Sequence, residues 1–478
     1  MRVKEERQMR EASRNSGHEE SVFRLLVPSS DPASSETVLI DVAGQRWRVV
    51  DHKAVPFPAQ APEYICISYF WADRRTANPF DSERPMSSRA QPVLETAIAS
   101  SRPPAIWLDA ACMPSQEPAR GLCLRNMGAI YAAASGVLAV LSPSVSILLD
   151  KVRREEAVGL EELQLLEADE WVSRMWTYQE MVNSKIISFI AEGETRDPVT
   201  GYDLLNAVGY AIMQYCKVEQ VDAYEFRKRY PHLDALETLA VDWLRADYSK
   251  RSAYQIMSAM VGRTAVYHDD YFYAMIGAIT STPVPDPNDA ALSPPEYFMR
   301  VCEEKGDFSF IYSSAPRASG DAGGWRPRPG LLPPIVPWLS DGEGQTGELH
   351  LASLRLHNMA SVALGQLEEV TRTFVHDWLK LVQSPLPPNI GDAVRETLYR
   401  TGFTGCGEYI EARCGLFFPQ HPLVDAGNCV VSVTTDISFN FGAPGLLLAP
   451  TESGTARFHD VGVFFGLVPE TKETVIIR

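Results

Sequence analysis

The sequence lacks the short motifs that mark phosphate loops, metal centres and membrane spans. It contains no G-x-x-x-x-G-K-[ST] or G-x-G-x-x-G loop and no H-E-x-x-H motif. The longest apolar run, "GVLAVLSPSVSILL", is interrupted by serines and Pro143, so no transmembrane helix and no membrane partner are predicted. Residues 1–20 mix charges of both signs without an apolar core, which predicts a disordered tail rather than a secretory signal.

Positive charge and closely paired cysteines are also scarce. Lys and Arg number 44 against 61 Asp and Glu, and the net charge of −17 argues against a nucleic-acid partner. Eight cysteines occur without a C-x-x-C pair, which predicts reduced thiols and a cytoplasmic protein. The loose cluster Cys406, Cys414, His421 and Cys429 is spaced too widely for common zinc patterns. We therefore predict no metal and no cofactor.

Four short apolar runs alternate with helical stretches between residues 64 and 190. The runs are "YICISYF" (64–70), "AIWLDA" (105–110), "GVLAVL" (136–141) and "KIISFI" (185–190). Each is too short for a helix and too continuously apolar for an exposed strand, which is typical of buried parallel strands. The alternation predicts an α/β fold with a doubly wound parallel sheet.

The sequence also predicts how the chain is divided into domains. We expect an α/β domain over 21–200, a helical extension over 201–280, a Pro/Gly-rich linker over 281–346 and a C-terminal α+β domain over 347–478. Within the last region, helical segments are expected near 351–383 and 390–401, followed by antiparallel strands. A regulatory role for this domain is an expectation without a motif to support it.

Ligands of doubly wound sheets bind beyond the carboxyl ends of the strands. The candidate cleft residues at these positions are Ser68, Tyr69, Trp71, Asp73 and Arg74 after the first strand, and Asp109 and Cys112 after the second. A cleft lined in this way is polar and aromatic. Cys112 is not predicted to be a nucleophile, because His52 is the only histidine near it in sequence.

The stretch "WVSRMWTYQEM" (171–181) has helical spacing and contains one glutamate. A stripe facing the sheet recurs at i, i+4, i+7 and i+11, comprising Trp171, Met175, Tyr178 and Val182. Trp176 and Glu180 lie four residues apart on a neighbouring face. Spacing alone favours a core Trp176 and a solvated Glu180.

A carboxylate beside aromatic side chains also suits one reaction. Cleavage of the nicotinamide–ribose bond of NAD needs no general acid, because the pyridinium becomes neutral as it leaves. One carboxylate can then stabilise the developing oxocarbenium ion while aromatic rings hold the flat nicotinamide or adenine.

The segments "YICISYFWAD", "IWLDAACMPSQ", "MGAIYAAASGVLAVLS", "EWVSRMWTYQEM" and "DDYFYAMIGAIT" resemble, in this order, the motifs of the heterokaryon-incompatibility (HET) domain. The resemblance covers about 64–280. The same segments look like a Toll/interleukin receptor (TIR) domain, which implies a flavodoxin-like sheet and places Glu180 on the glutamate with which TIR enzymes hydrolyse NAD. Three departures occur: Ala72 replaces a glycine, "MPSQ" displaces Gln116 by one position, and "PARG" replaces an acidic position.

The resemblance implies an immune-type effector that causes cell death or growth arrest by hydrolysing NAD, with NAD as substrate. It further implies a homo-oligomer on activation and a sensor or partner protein. Trp71 and Trp176 would form aromatic walls, Arg74 or Arg174 would lie near the diphosphate, and Asp109 would orient the ribose or the loop. The alternatives are a non-catalytic TIR-like scaffold and an enzyme that cleaves another N-glycosidic bond.

Overall fold

The structure is a computed structural model. It describes residues 22–29, 39–42, 44–53, 62–117, 119–244, 248–280, 292–317, 324–338, 340–350, 353–382, 389–424 and 428–478. The tail predicted for residues 1–20 lies outside these ranges. The chain divides into two compact units, which we call unit 1 (Met1–Glu219 with Thr264–Leu292) and unit 2 (Gln220–Arg263 with Ser293–Arg478). The stretch predicted as one helical extension, 201–280, is thus shared between the units.

Helices occur in both units. They are α1 (Ala90–Ser101), α2 (Asp109–Cys112), α3 (Ala119–Ala133), α4 (Ser146–Arg153), α5 (Leu160–Glu167), α6 (Glu170–Ser173), α7 (Met175–Val182), α8 (Gly201–Glu219), α9 (Ala223–Arg229), α10 (Pro231–Leu244), α11 (Ala253–Met260), α12 (His268–Ile279), α13 (Pro294–Lys305), α14 (Glu369–Val382) and α15 (Ile390–Arg400). Short 3₁₀ turns span Pro143–Val145, Tyr248–Lys250 and Ser309–Tyr312. No helix among the described residues combines the length and the apolar character needed to cross a bilayer.

Unit 1 contains an eight-stranded mixed sheet. The strands of this unit are β1 (Val22–Pro28), β2 (Leu39–Val42), β3 (Gln45–Lys53), β4 (Ile65–Tyr69), β5 (Arg75–Thr76), β6 (Met86–Ser87), β7 (Ile106–Trp107), β8 (Gly136–Leu141), β9 (Ile187–Ala191) and β10 (Val199–Thr200). The large sheet has the order β10-β9-β8-β4-β7-β1-β3-β2, and β5 pairs with β6 separately.

The four predicted parallel strands are confirmed as β4, β7, β8 and β9. β4 pairs in parallel with β7 and with β8, and β8 pairs in parallel with β9. The chain therefore reverses its direction of travel across the sheet between β4 and β8, which is where open α/β sheets form their ligand crevice. The sheet is not wholly parallel, because β1 to β3 extend one edge and β10 the other in antiparallel pairing.

The helix predicted over the "WVSRMWTYQEM" stretch is broken at Arg174. This residue has φ −74° and ψ 141°, and separates α6 from α7. The extended backbone pairs with Thr264: the amide of Met175 donates to the Thr264 carbonyl at 3.1 Å, and the Thr264 amide donates to Ser173 at 2.8 Å. Asp169 caps α6 by accepting from the Trp171 amide. Spacing does not reveal the break, because the predicted stripe of Trp171, Met175, Tyr178 and Val182 is buried on both sides of it.

Helices α3, α7 and α12 approach closely because two glycines meet there. A methyl group on Gly128 would overlap the carbonyl oxygen of Gly277, and one on Gly277 would overlap the Gln179 side chain. Asn183, at the end of α7, donates from its side-chain amide to the Gly277 carbonyl at 2.7 Å. This contact fixes the position of α7 and hence of the residues that it presents to the sheet.

Unit 2 contains a closed five-stranded barrel. The described strands of unit 2, five of which form the barrel, are β11 (Gly347–His350), β12 (Ser353–Val362), β13 (Ile410–Ala412), β14 (Gly415–Pro419), β15 (Val430–Thr434), β16 (Gly442–Pro450), β17 (Ala456–Gly466) and β18 (Glu473–Ile477). β12, β15, β16 and β17 follow one another, and β18 closes the ring by pairing with both β17 and β12. The predicted C-terminal antiparallel strands are confirmed, although the β17–β18 pair is parallel.

One expectation for unit 2 is wrong. Residues 353–362 form strand β12 rather than the beginning of a helix, and only Glu369–Val382 is helical in the stretch predicted near 351–383. The segment "SLRLHNMASV" alternates buried and partly exposed positions at its start, a period of two that fits a strand with one face on the barrel core.

Candidate functional site

The end of strand β4 carries a buried polar network. Glu180 is only 6% exposed, and its carboxylate accepts a hydrogen bond from the hydroxyl of Ser68, which is fully buried on β4. The indole Nε1 of Trp171 donates to the same Ser68 oxygen at 2.7 Å. Ser68 therefore connects a strand and two helices at one point, because it accepts from α6 and donates to α7.

The environment of Glu180 favours its neutral form. The pKa of Glu180 is raised from 4.5 to about 8, chiefly by burial and in smaller part by the negative charge of Asp109. The hydrogen bond from Ser68, the neighbouring Tyr131 hydroxyl and the positive charge of Arg174 act in the opposite direction and are included in this value. Burial exceeds these effects, so Glu180 is mostly protonated at neutral pH while the site is closed. The solvated Glu180 favoured by spacing is therefore wrong.

Asp109 forms a second polar cluster beside the first. Its carboxylate accepts from the Trp71 indole Nε1 at 2.5 Å and from the Ala110 amide at 2.6 Å. Burial raises the pKa of Asp109, whereas the positive charge of Arg84 lowers it. The guanidinium carbons of Arg75 and Arg84 lie 4.7 and 5.2 Å from the centroid of the Trp71 ring. Trp71 thus links a carboxylate to two cations.

The remaining predicted site residues lie in varied surroundings. Asp73 and Arg74 are exposed. Trp176 is partly exposed and hydrogen-bonds Asp270 of α12. Burial raises the pKa of Asp270, and the hydrogen bond from Trp176 lowers it by a smaller amount. Cys112 is 1% exposed, and its thiol donates to the Ile106 carbonyl at 3.7 Å. Burial raises the pKa of Cys112 to about 12, which leaves the thiol unreactive.

The structure thus brings Ser68, Tyr69, Trp71 and Asp109 to the carboxyl end of β4 near Glu180. The buried Tyr69 hydroxyl interacts electrostatically with Asp109, whose charge raises the pKa of the phenol in addition to the effect of burial. Gln116, whose position departs from the HET pattern, is exposed, and its amide donates to Glu83 at 2.9 Å.

Three residues of the site were missed by sequence reasoning. Trp171 belongs to the predicted core stripe and is 1% exposed, and its indole N–H donates a hydrogen bond to Ser68. Tyr131, in the "MGAIYAAA" segment, lowers the pKa of Glu180, and its hydroxyl donates to the Ile67 carbonyl at 3.4 Å. Arg84 lies between β4 and β7 in a loop without a recognisable motif. The indole N–H of a buried tryptophan needs a hydrogen-bond acceptor. This requirement is the one signal in the sequence that could have indicated a polar contact at Trp171.

The described side chains do not include a group of three His, Cys, Asp or Glu placed to hold a metal ion. All eight cysteines are free thiols.

Fold and site together define a mixed α/β domain with an enclosed glutamate at the end of a central parallel strand. Residues 64–162, about a fifth of the chain, match the model of the family described as heterokaryon incompatibility protein (HET). The matched segment includes β4, Trp71, Asp109 and Tyr131, and it ends before Glu180. No curated protein and no solved structure matches the chain.

Proposed function

We propose that this chain is an incompatibility-type effector with a TIR-like domain, and that it causes cell death or growth arrest by hydrolysing the nicotinamide–ribose bond of NAD. The observation that supports this proposal most is the burial of Glu180 at the carboxyl end of β4, where its side chain accepts a hydrogen bond from Ser68, which itself accepts one from Trp171. A buried carboxyl group whose pKa is strongly raised is a candidate functional group, and it is suited to meeting a cationic ligand.

Charge explains how such a site would act. The nicotinamide ring of NAD is a cation, and its arrival next to Glu180 would favour the carboxylate over the carboxylic acid. The ionised carboxylate then stabilises positive charge on the ribose as neutral nicotinamide departs, and water attacks the ribose C1′ and loses its proton to solvent. The reaction yields nicotinamide and ADP-ribose without a redox partner.

The two arginines next to Trp71 would bind the diphosphate of NAD. The Trp71 ring contacts the guanidinium groups of Arg75 and Arg84, so Trp71 positions two cations and its ring is not free to stack on nicotinamide. Asp109 fixes the indole through its hydrogen bond and limits the rotation of the cluster. Arg75, and not its neighbour Arg74, is then the cation next to Trp71.

Access to Glu180 requires a change in the closed arrangement, because only 6% of its surface is exposed. We expect self-association, or contact with a sensor protein, to open the site. The free chain should therefore turn over NAD slowly, and crowding or concentration should increase the rate per chain.

The test is nicotinamide release from NAD by the full chain across a concentration series. We expect activity in the wild type and none above background in Glu180→Gln, because glutamine cannot stabilise the oxocarbenium ion by charge. Glu170→Gln is the matched control: Glu170 is an exposed carboxylate on α6, and its loss should leave turnover unchanged. Equal turnover by Glu180→Gln and the wild type would refute the assignment.

A non-catalytic scaffold is the second candidate. The closed Glu180 and the altered "MPSQEPARG" segment favour it. It predicts that oligomers form and signal without nucleotide turnover, and that assembly measured by light scattering survives Glu180→Gln. Cleavage of NAD by any assembled wild-type sample would exclude it.

A further inference from the structure

Unit 2 contains a cavity of about 340 Å³ outside the barrel. It lies between α10 and α11, the end of α9, the segment around Trp338 and the turn after α15. Its volume is at the lower end of the range for pockets that hold small organic molecules. The functional proposal for Glu180 makes no use of this cavity, which belongs wholly to unit 2.

The cavity wall contains a fixed arginine. The Nε atom of Arg227 lies 2.7 Å from an Asp234 carboxylate oxygen, and its guanidinium carbon lies 4.9 Å from the centroid of the Trp338 ring. Trp338 is itself anchored, because its indole Nε1 donates to Asn440 at 3.1 Å. Arg227 has five N–H donors, and the contact with Asp234 uses the one on Nε. An arginine held in this way loses little conformational freedom when it binds an anion.

Two serine hydroxyls of the lining lack a hydrogen-bond partner among the described residues. They are the Oγ atoms of Ser258, on α11, and Ser340, and both are shielded from solvent. Ser340 is 2% exposed. Leaving a buried hydroxyl unpaired costs free energy, so a folded protein retains such groups mainly where a ligand or ordered water completes them.

The lining also includes the apolar or small residues Ala235, Ala259, Val261 and Pro337. Lys228, which is exposed, and Arg400 add two further cations, and Asp242 adds a carboxylate to that of Asp234, so cations outnumber carboxylates in the lining. A ligand that satisfies this wall needs a compact apolar body, one anionic group and at least one oxygen that can hydrogen-bond.

We propose that the cavity of unit 2 is a binding site for a small organic anion, with the anionic group on Arg227 and polar atoms on Ser258 and Ser340. It gives unit 2 a means of sensing a small carboxylate or a ligand with a similar anionic group.

The first experiment measures binding to the full chain by calorimetry without NAD. The probes are 8-anilino-1-naphthalenesulfonate and N-phenyl-1-naphthylamine, which has the same ring systems without the sulfonate. We expect saturable 1:1 binding of the anion and at least tenfold weaker binding of the neutral probe. Arg227→Gln should weaken anion binding about tenfold through loss of the charge-assisted hydrogen bond. The matched control Arg457→Gln, on the exposed part of β17, should bind as the wild type does.

The second experiment is independent of the choice of probe. Ser340→Ala removes an unpaired buried hydroxyl, so the thermal midpoint of the unliganded protein should rise by about 2 °C. A decrease in the midpoint would show that the hydroxyl is needed by the fold, and would overturn the proposal. Equal affinity of the wild type and Arg227→Gln for the anion, or of the wild type for both probes, would also overturn it.

Discussion

Replacing Glu180 with glutamine should make the stability of the protein less sensitive to alkaline pH. In the folded chain the pKa of Glu180 is about 8 instead of 4.5. A carboxyl whose pKa is raised by folding contributes fully to stability below pH 4.5, and its contribution declines as the pH rises from about 4.5 to about 8. At about 1.4 kcal/mol for each pKa unit, this loss amounts to at most about 5 kcal/mol above pH 8. Glutamine has nearly the same shape, can accept the Ser68 hydrogen bond and does not ionise.

The assay is thermal unfolding of the full chain between pH 5 and pH 8.5. We expect the midpoints of the wild type and Glu180→Gln to be close at pH 5 and to diverge with pH, the variant becoming more stable by on the order of 10 °C at pH 8.5. At pH 7 the infrared band of protonated carboxylic acids should be stronger in the wild type than in the variant by the contribution of one group. The exposed Glu170→Gln control should show a gap that does not change with pH. A constant gap for Glu180→Gln would show that Glu180 ionises at its ordinary pKa and would refute the argument.

Three other measurements test the charge and packing of unit 1. If the ionised Glu180 is the active form, kcat/KM for nicotinamide release should rise with pH through about 8, and a flat profile from pH 6 to 9 would contradict this. Trp71→Phe removes the indole donor to Asp109 but keeps a ring, and should lower kcat/KM about tenfold with the fold intact by circular dichroism. Gly277→Ala, whose added methyl would overlap a neighbouring amide oxygen, should destabilise the chain by about 1–3 kcal/mol in denaturant unfolding, whereas Gly209→Ala in open space on α8 should stabilise it.

The location of the site follows from how the sheet is built. β4 lies between β7 and β8, so its carboxyl end adjoins the place where the chain reverses direction across the sheet. Ser68 and Tyr69 end this strand, and α7 is held against the same region by the close approach of Gly128 and Gly277. Asp109 therefore lies near enough to Glu180 for its negative charge to raise the pKa of that carboxyl, although their chain segments are distant in sequence.

The parallel core could be predicted from the residue pattern. Four short apolar runs predicted β4, β7, β8 and β9, because continuous burial on both faces requires unbroken apolar residues in a strand. The candidate residues at the strand ends also followed from the sequence, since the alternation of strands and helices specifies which end of each strand meets the ligand crevice. Asp109, Trp71 and Ser68 were named on this ground.

The contacts that these residues make depend on segments that are distant in sequence. The hydrogen bond between Ser68 and Glu180 joins residues 112 positions apart, and local periodicity carries no information about such a pair. The break at Arg174 depends on pairing with Thr264, a segment that arrives from 90 residues later in the chain. Helical spacing alone favoured a solvated Glu180, because it specifies the face of a helix and not what packs on that face. Burial of that face by β4 and its neighbours turned an apparent surface charge into an enclosed acid whose pKa is about 8.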